Sequence, residues 1–226
     1  GSGEKAVVPI EAIYKKAKVR YCPVDINSYF VSKAVERISR INKGEVVENK
    51  WNIADFDALE NISALLRDKE FRQNFFLFLG NTIANYDIHE VLHVISSSMQ
   101  SGEHILIGMF LGRYDIDRFI QPYKTREVDD FIRIVLEQIG FKKNELEYGV
   151  RFRNNRVEVY YTIKNDKKVK CYEGKEISFN KGDQILVGVS YRYKKDEIEN
   201  IMKMYFKDFK SYFDDTETRI IVLCEK

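Results

Sequence analysis

An unbroken run of large apolar residues ends abruptly at Gly80 and constrains the fold more than any other stretch of the sequence. The run covers residues 75–79, and its lack of polar alternation is typical of a strand covered on both faces in a parallel sheet. Gly80 lets the backbone turn or approach a ligand closely, and Asp87 can cap the helix that follows. The stretch therefore predicts a strand, a polar loop and a helix, with or without a ligand at the carboxyl end of the strand.

The composition limits the classes of protein that this chain can belong to. Its 226 residues, 44% hydrophobic and 32% charged, suffice for one large core or for one core with a small appendage. The net charge of +2 gives no electrostatic case for nucleic acid or for an anionic membrane. Cys22, Cys171 and Cys224 lack metal-site spacing, and no signal peptide or membrane-length apolar run is evident, so we expect a cytoplasmic protein.

Several residues before Gly80 suit a nucleoside. Asp25 ends a short predicted strand, where a carboxylate can accept hydrogen bonds from ribose hydroxyls, although it could also simply cap the next helix. Asp55 and Phe56 follow the next predicted strand, and a carboxylate beside an aromatic ring suits an adenine base. Gly1 and Gly3 are either a cloning remnant or a glycine turn at a nucleotide site.

Strands and helices alternate up to residue 143, which predicts a doubly wound, mostly parallel α/β sheet. The most periodic helix, residues 124–140, carries its apolar residues on one face: Val128, Phe131, Ile132, Val135, Leu136 and Ile139. From residue 146 the period changes to two, which predicts antiparallel hairpins, the first turning at Asn154 and Asn155. We expect a core at 1–143, a β-rich insertion at 144–193, and a closing helix with two antiparallel strands at 194–226 that return to the main sheet as its edge.

The sequence also contains the pattern of a zinc peptidase, in which two histidines one helical turn apart bind the metal. His89, Glu90 and His93 match it. However, both histidines are predicted to lie largely on the side of the helix opposite to its apolar face, and no third ligand is evident. We therefore expect a solvent-exposed helix face without zinc, and keep a zinc peptidase as a remote alternative.

Motifs occur in a consistent order along nearly the whole chain, at residues 24–27, 54–56, 78–85, 155–158 and 189–193, together with Tyr123. With these motifs the chain resembles the S-adenosylmethionine-dependent histidine-specific methyltransferase family, whose best-known activity is the Nα-trimethylation of histidine. This resemblance implies a Rossmann-like methyltransferase core with a β-rich substrate-binding insertion, S-adenosylmethionine as cofactor and S-adenosylhomocysteine as product.

The resemblance also implies roles for individual residues. The cofactor-binding set comprises Gly1, Gly3, Asp25, Asp55, Phe56, Gly80 and Thr82. Asn85 and Tyr123 match the residues that contact and align the substrate, with Tyr123 at its carboxylate, and Ser190 matches a serine of the substrate pocket. In the family, a strand and a helical segment precede the glycine motif, and we expect both to be missing here.

One departure from the family pattern concerns the substrate. Gly188 stands where the family places the glutamate that recognises imidazole, and the loss of a buried acceptor removes affinity and discrimination for imidazole. We therefore expect N-methylation of a small amino-acid-like or amine substrate other than histidine. The alternative is a truncated or degenerate member that has lost catalysis and acts as a binding or interaction protein.

Overall fold

The computed structural model describes residues 1–112, 116–170 and 174–226, without the side chains of Trp51 and Arg118. Cys171, the predicted end of a strand, lies outside these ranges. The chain divides into two compact units. The first unit comprises Gly1–Ile83, Asp87–Phe110 and Lys195–Lys226, and the second comprises Ala84–Tyr86 and Leu111–Lys194. None of the described helices has the length and apolar character needed to cross a membrane.

The helices begin where the sequence offers a side-chain cap. The Asn27 side chain accepts a hydrogen bond from the Tyr29 N–H, and Asp87 accepts from the N–H groups of His89 and Glu90. The helices are α1 (Val7–Tyr14), α2 (Ser28–Ile41), α3 (Leu59–Leu66), α4 (Ile88–Ser98), α5 (Ile116–Ile120), α6 (Arg126–Gln138) and α7 (Lys195–Tyr205). The strands are β1 (Arg20–Tyr21), β2 (Glu45–Val46), β3 (Phe75–Phe78), β4 (His104–Phe110), β5 (Leu146–Arg153), β6 (Arg156–Ile163), β7 (Lys167–Lys170), β8 (Glu176–Phe179), β9 (Gln184–Tyr191), β10 (Asp208–Phe213) and β11 (Arg219–Glu225).

The first unit contains the predicted α/β sheet with its antiparallel edge. Four strands lie in the order β10-β11-β4-β3, with β3 parallel to β4 and with β11 antiparallel to both β4 and β10. Strands β1 and β2 pair in parallel as a separate two-stranded sheet, which a parallel bridge between Asp25 and Ile53 extends. The expected fold class is confirmed.

Two predictions about individual strands are wrong. Strand β3 was expected to be covered on both faces, yet Phe75 is 38% exposed and the rest of β3 is half-buried. Among the described strands only β4 pairs with β3, so β3 lies at the edge of the four-stranded sheet. The strand expected over residues 46–53 ends at Val46, because Asn49 and Asn52 cap each other's backbone and fold the chain into a 3-10 helix at Lys50–Asn52.

The second unit is built on antiparallel strands. Strands β5, β6 and β9 form one sheet and β7 pairs with β8. Asn154 and Asn155 both have positive φ, at 51° and 55°, as a two-residue type I′ turn requires, so the predicted hairpin is confirmed. The buried cluster of this unit consists of Leu136, Phe141, Leu146, Tyr161, Ile163 and Val169.

Helix α6 differs from its prediction in both place and orientation. It belongs to the second unit, because Leu136 packs in that cluster, whereas the sequence put the boundary at residue 143. Of the predicted apolar face, Leu136 is buried, whereas Phe131, Val135 and Ile139 are exposed. The buried side is displaced toward Arg133, whose guanidinium pairs with Asp129, Asp130 and Glu137. A charged residue with this many partners can be buried, which apolar periodicity does not predict.

Candidate functional site

The two predicted nucleoside carboxylates follow neighbouring chain segments of the first unit. The Asp25 N–H donates to the Asn52 carbonyl at 3.1 Å, and the Ala54 N–H donates to the Asp25 carbonyl at 3.1 Å. The buried Asn52 side chain reinforces this pairing by donating to the carbonyls of Pro23 and Val47, each at 2.9 Å. The pairing brings Asp25 beside Ile53, two residues before Asp55, but β1 and β2 end earlier in the chain, so neither aspartate directly ends a strand.

Both carboxylates have one oxygen occupied by the local backbone. Asp25 Oδ1 accepts from the Asn27 N–H at 2.8 Å, and Oδ2 lies next to the Gly1 nitrogen. Asp55 Oδ1 accepts from the Phe56 N–H at 2.7 Å. The Phe56 ring meets the Phe78 ring edge-on, with centroids 5.4 Å apart, so the predicted adenine residues lie beside the carboxyl end of β3.

Three glycines were predicted at the cofactor, and at two of them the backbone conformation requires glycine. Gly3 has φ 73°, and a Cβ there would lie 3.0 Å from the Ala34 Cα. Gly80 has φ 87°, a conformation that strains other residues, whereas the atom nearest to a Cβ there, Lys5 Nζ at 2.8 Å, belongs to a flexible side chain that can move away. Gly1 has no such restriction, since its Cβ would meet nothing within 4 Å. Thr82, the last predicted cofactor residue, donates from its hydroxyl to the Leu79 carbonyl at 3.3 Å, which closes the loop after β3.

The three predicted substrate residues come together in the second unit. Asn85, Tyr123 and Ser190 line one cavity of about 520 Å³. Gly188 lines the same cavity. The other lining residues are apolar: Ile132, Val159, Leu186, Val187 and Val189. The cavity therefore has a few polar groups in an otherwise hydrophobic wall, the usual composition of a small-molecule site.

A β-bulge in β9 shapes one wall of this cavity. Val159 pairs with Gly188 whereas its neighbour Tyr160 pairs with Leu186, so Val187 is the extra residue. In a regular strand only alternate residues face one side. The bulge re-aims the chain, and residues 186–190 all line the cavity as a result.

Arg192 holds the polar end of the cavity together, and the sequence analysis did not assign it a role. Its Nη1 donates to Ser190 Oγ at 2.6 Å, and its Nη2 donates to Tyr123 Oη at 3.3 Å. Its position two residues after Ser190, on the same side of an extended chain, was the signal available in the sequence.

Tyr148 fixes the backbone beside the pocket tyrosine. Its hydroxyl donates to the Tyr123 carbonyl at 2.6 Å. Burial, with smaller contributions from Asp129 and Tyr123, raises the pKa of Tyr148 to about 12. Tyr148 is therefore a protonated donor at neutral pH, and Tyr123 is held at its carbonyl by Tyr148 and at its hydroxyl by Arg192.

Comparison with known proteins decides the family. The model of the SAM-dependent histidine-specific methyltransferases matches residues 1–226. The chain belongs to this family. A comparison with curated proteins gives no match.

Several solved structures are similar to this methyltransferase. The PH0226 protein from Pyrococcus horikoshii is 13% identical over 98% of this chain and 89% of its own, with a TM-score of 0.44. The DhpI–SAM–HEP complex is 10% identical over 100% and 75%, with a TM-score of 0.42. DesVI from Streptomyces venezuelae is 8% identical over 100% and 91%, with a TM-score of 0.38.

The methyltransferase is an enzyme that uses S-adenosylmethionine. One observation among the described residues fits the nucleoside part of this cofactor. Within the described chain, Asp55 Oδ2 has no protein partner and remains available to an adenine amine. The assignment of the individual residues stays a prediction.

The methyltransferase helix α4 has the orientation that the sequence predicted. Ile88, Val91, Leu92 and Ile95 are buried, whereas His89, Glu90 and His93 are exposed. His89 Nδ1 lies 3.0 Å from Tyr205 Oη. Residues 1–112, 116–170 and 174–226 contain no cluster of three His, Cys, Asp or Glu side chains suited to a metal ion.

We expect the purified protein to contain no stoichiometric zinc, because two exposed imidazoles without a third ligand form a weak site. Elemental analysis after purification without added metal measures this. His93→Ala should leave the metal content unchanged. One zinc per chain that His93→Ala removes would show that the histidine pair is a metal site.

Proposed function

We propose that the enzyme transfers the methyl group of S-adenosylmethionine to the nitrogen of a small amino-acid-like or amine substrate other than histidine, bound in the cavity of the second unit. The observation that carries the proposal is Gly188 in the cavity wall, beside Ser190. By family resemblance, a glutamate at this position recognises imidazole.

The space around Gly188 supports the proposal. A Cβ on Gly188 would meet one atom within 4 Å, the Val159 Cβ at 3.8 Å, which is an ordinary contact. A side chain could therefore stand here, and its absence leaves room next to Val159. The described lining residues include no carboxylate. A bulkier, less polar side chain suits this wall better than an imidazole does.

The remaining polar residues suit the two ends of an amino-acid-like ligand. The Asn85 amide oxygen can accept from the substrate amine, and the Tyr123 hydroxyl can contact the other end. S-adenosylmethionine supplies an electrophilic methyl group on a sulfonium. The contribution of the protein is alignment, which is worth up to about 7–11 kcal/mol in well-oriented systems. The described lining residues offer no evident general base, and we propose that the amine proton is lost to water.

The test is a methyl-transfer assay over a panel of amino acids and amines. We expect histidine not to be the best substrate, and we expect Gly188→Glu to raise kcat/KM for histidine by about tenfold or more, because it restores a buried acceptor. Ser178→Glu is the matched control, since it adds the same charge at an exposed position on β8. Histidine as the best wild-type substrate, with no further gain in Gly188→Glu, would show that the proposal is wrong.

A further inference from the structure

Arg192 has a fixed position in the second unit. Its backbone N–H donates to the Asn155 carbonyl at 2.7 Å. A Cβ on Gly112 would lie 3.2 Å from the Arg192 Cβ, so the neighbouring chain passes close by. The guanidinium lies 5.8 Å from the centroid of the Phe119 ring and also donates to the Tyr191 carbonyl at 2.8 Å. These contacts confine the guanidinium to one orientation.

The chemistry of a guanidinium decides the direction of its hydrogen bonds. Arginine carries five N–H donors and no acceptor. In its contacts with Ser190 Oγ and Tyr123 Oη, Arg192 must therefore donate, and both hydroxyl oxygens must accept. Neither hydroxyl can give its own proton to Arg192.

Both hydroxyl protons are consequently available to a ligand. In the part of the chain that the structure describes, neither Ser190 nor Tyr123 donates from its hydroxyl to a protein group. Ser190 is 4% exposed, so its proton has little access to bulk water. Both residues line the cavity, so its polar end offers two hydroxyl donors to a bound molecule.

An additional feature is the charge at this end. Within the described residues no carboxylate forms an ion pair with Arg192, whereas other arginines of the second unit, such as Arg151 and Arg156, pair with Glu158. The two hydroxyl donors are each hydrogen-bonded to the Arg192 cation, and this arrangement suits a ligand group that accepts hydrogen bonds and carries negative charge. A carboxylate has both properties, and an amine or a hydroxyl lacks the charge.

We propose that Arg192 is a positioning residue that makes Ser190 and Tyr123 act as donors, so that the pocket selects ligands with a carboxylate over the corresponding amines without one. This rests on the proposed function, because it assumes that the cavity holds the substrate. Arg192 acts through the two hydroxyls and is not assigned a contact with the reacting atoms.

The experiment compares matched ligand pairs that differ in the carboxylate alone. Calorimetry without cofactor measures binding of L-leucine against 3-methylbutylamine, L-phenylalanine against 2-phenylethylamine, and L-tryptophan against tryptamine. We expect the wild type to prefer the carboxylate member of the pair that binds best. Arg192→Met should reduce that preference by about tenfold, the scale of a charge-assisted hydrogen bond, and should change binding of the amine less than about twofold. Arg153→Met, at an exposed arginine at the end of β5, is the matched control and should behave as the wild type.

The outcomes separate the two proposals. An unchanged preference in Arg192→Met, or equal losses for the acid and the amine, would overturn the positioning role, because a general structural defect weakens both ligands alike. Arg192→Lys keeps a cation that can only donate, so it should retain more of the preference than Arg192→Met does, and the reverse order would also overturn the positioning role. Amines that bind while their acids do not would refute this inference alone, and failure of every pair to bind the wild type would refute the proposed function as well.

Discussion

Arg67→Met is expected to lower the free energy of unfolding by about 3 kcal/mol or more, because it leaves a buried carboxylate without its counter-ion. The Glu103 side chain is fully buried, and both of its oxygens bond to Arg67, at 2.8 and 2.7 Å. Glu103 also accepts from the N–H groups of Asn74 and Gln100. These contacts join the chain after α3, the entry to β3 and the turn before β4, so their loss affects the centre of the first unit. Urea denaturation followed by circular dichroism measures the change.

The same pair predicts a pH dependence of stability. Burial raises the pKa of Glu103, but the Arg67 guanidinium and the two backbone N–H groups more than offset it, and the pKa lies below its ordinary value. A depressed carboxyl pKa contributes stability that is present above the unfolded-state pKa of about 4.3 and is lost as the pH falls through the folded-state pKa. The difference in the free energy of unfolding between the wild type and Arg67→Met should therefore become smaller as the pH is lowered.

A surface ion pair supplies the control for the Arg67 variant. Arg40 pairs with Glu36 one turn away on α2, and its side chain is 76% exposed. Arg40→Met should leave stability unchanged within error, because exposed pairs of this kind are screened by solvent. Equal effects of Arg67→Met and Arg40→Met would show that the buried pair does not stabilise the first unit.

Local signals in the sequence predicted local structure well. The cap at Asp87 needs only a short polar side chain and free N–H groups at a helix start. The hairpin at Asn154 and Asn155 needs only two residues that tolerate positive φ. The gathering of Asn85, Tyr123 and Ser190 in one cavity came from the family resemblance, since nothing local connects residues so far apart in the chain.

Predictions that depended on the tertiary neighbours of a strand, a helix or a side chain were less reliable. The apolar run of β3 predicts a strand whose two faces are covered. It gives no information about which elements lie beside the strand, and in the described chain only β4 pairs with it. The face of α6 was misjudged because Arg133 is buried through its three carboxylate partners, and a periodicity of apolar residues treats every arginine as exposed. Arg192 was missed because its role depends on the distances to Tyr123 and Ser190 in space.

Asp25→Ala and Asp55→Ala are each expected to weaken binding of S-adenosylhomocysteine by at least about tenfold, the scale of one hydrogen bond to a charged group. The two residues end neighbouring chain segments that pair between Asp25 and Ile53, the arrangement that a ribose and an adenine on one nucleoside require. Calorimetry with the full chain measures the affinity.

Each aspartate also accepts a backbone N–H, from Asn27 and from Phe56 respectively, so alanine could act through the local fold instead of the ligand. Asp25→Asn and Asp55→Asn address this, because an amide oxygen can keep the backbone contact while the charge is removed. We expect them to weaken binding while the thermal midpoint stays close to that of the wild type. Asp57→Ala, at an exposed acid two residues after Asp55, is the matched control and should bind as the wild type does. Equal affinities of the wild type and both alanine variants would show that the cofactor is held by other residues, since a carboxylate that receives ribose or adenine hydrogen bonds cannot be removed without loss.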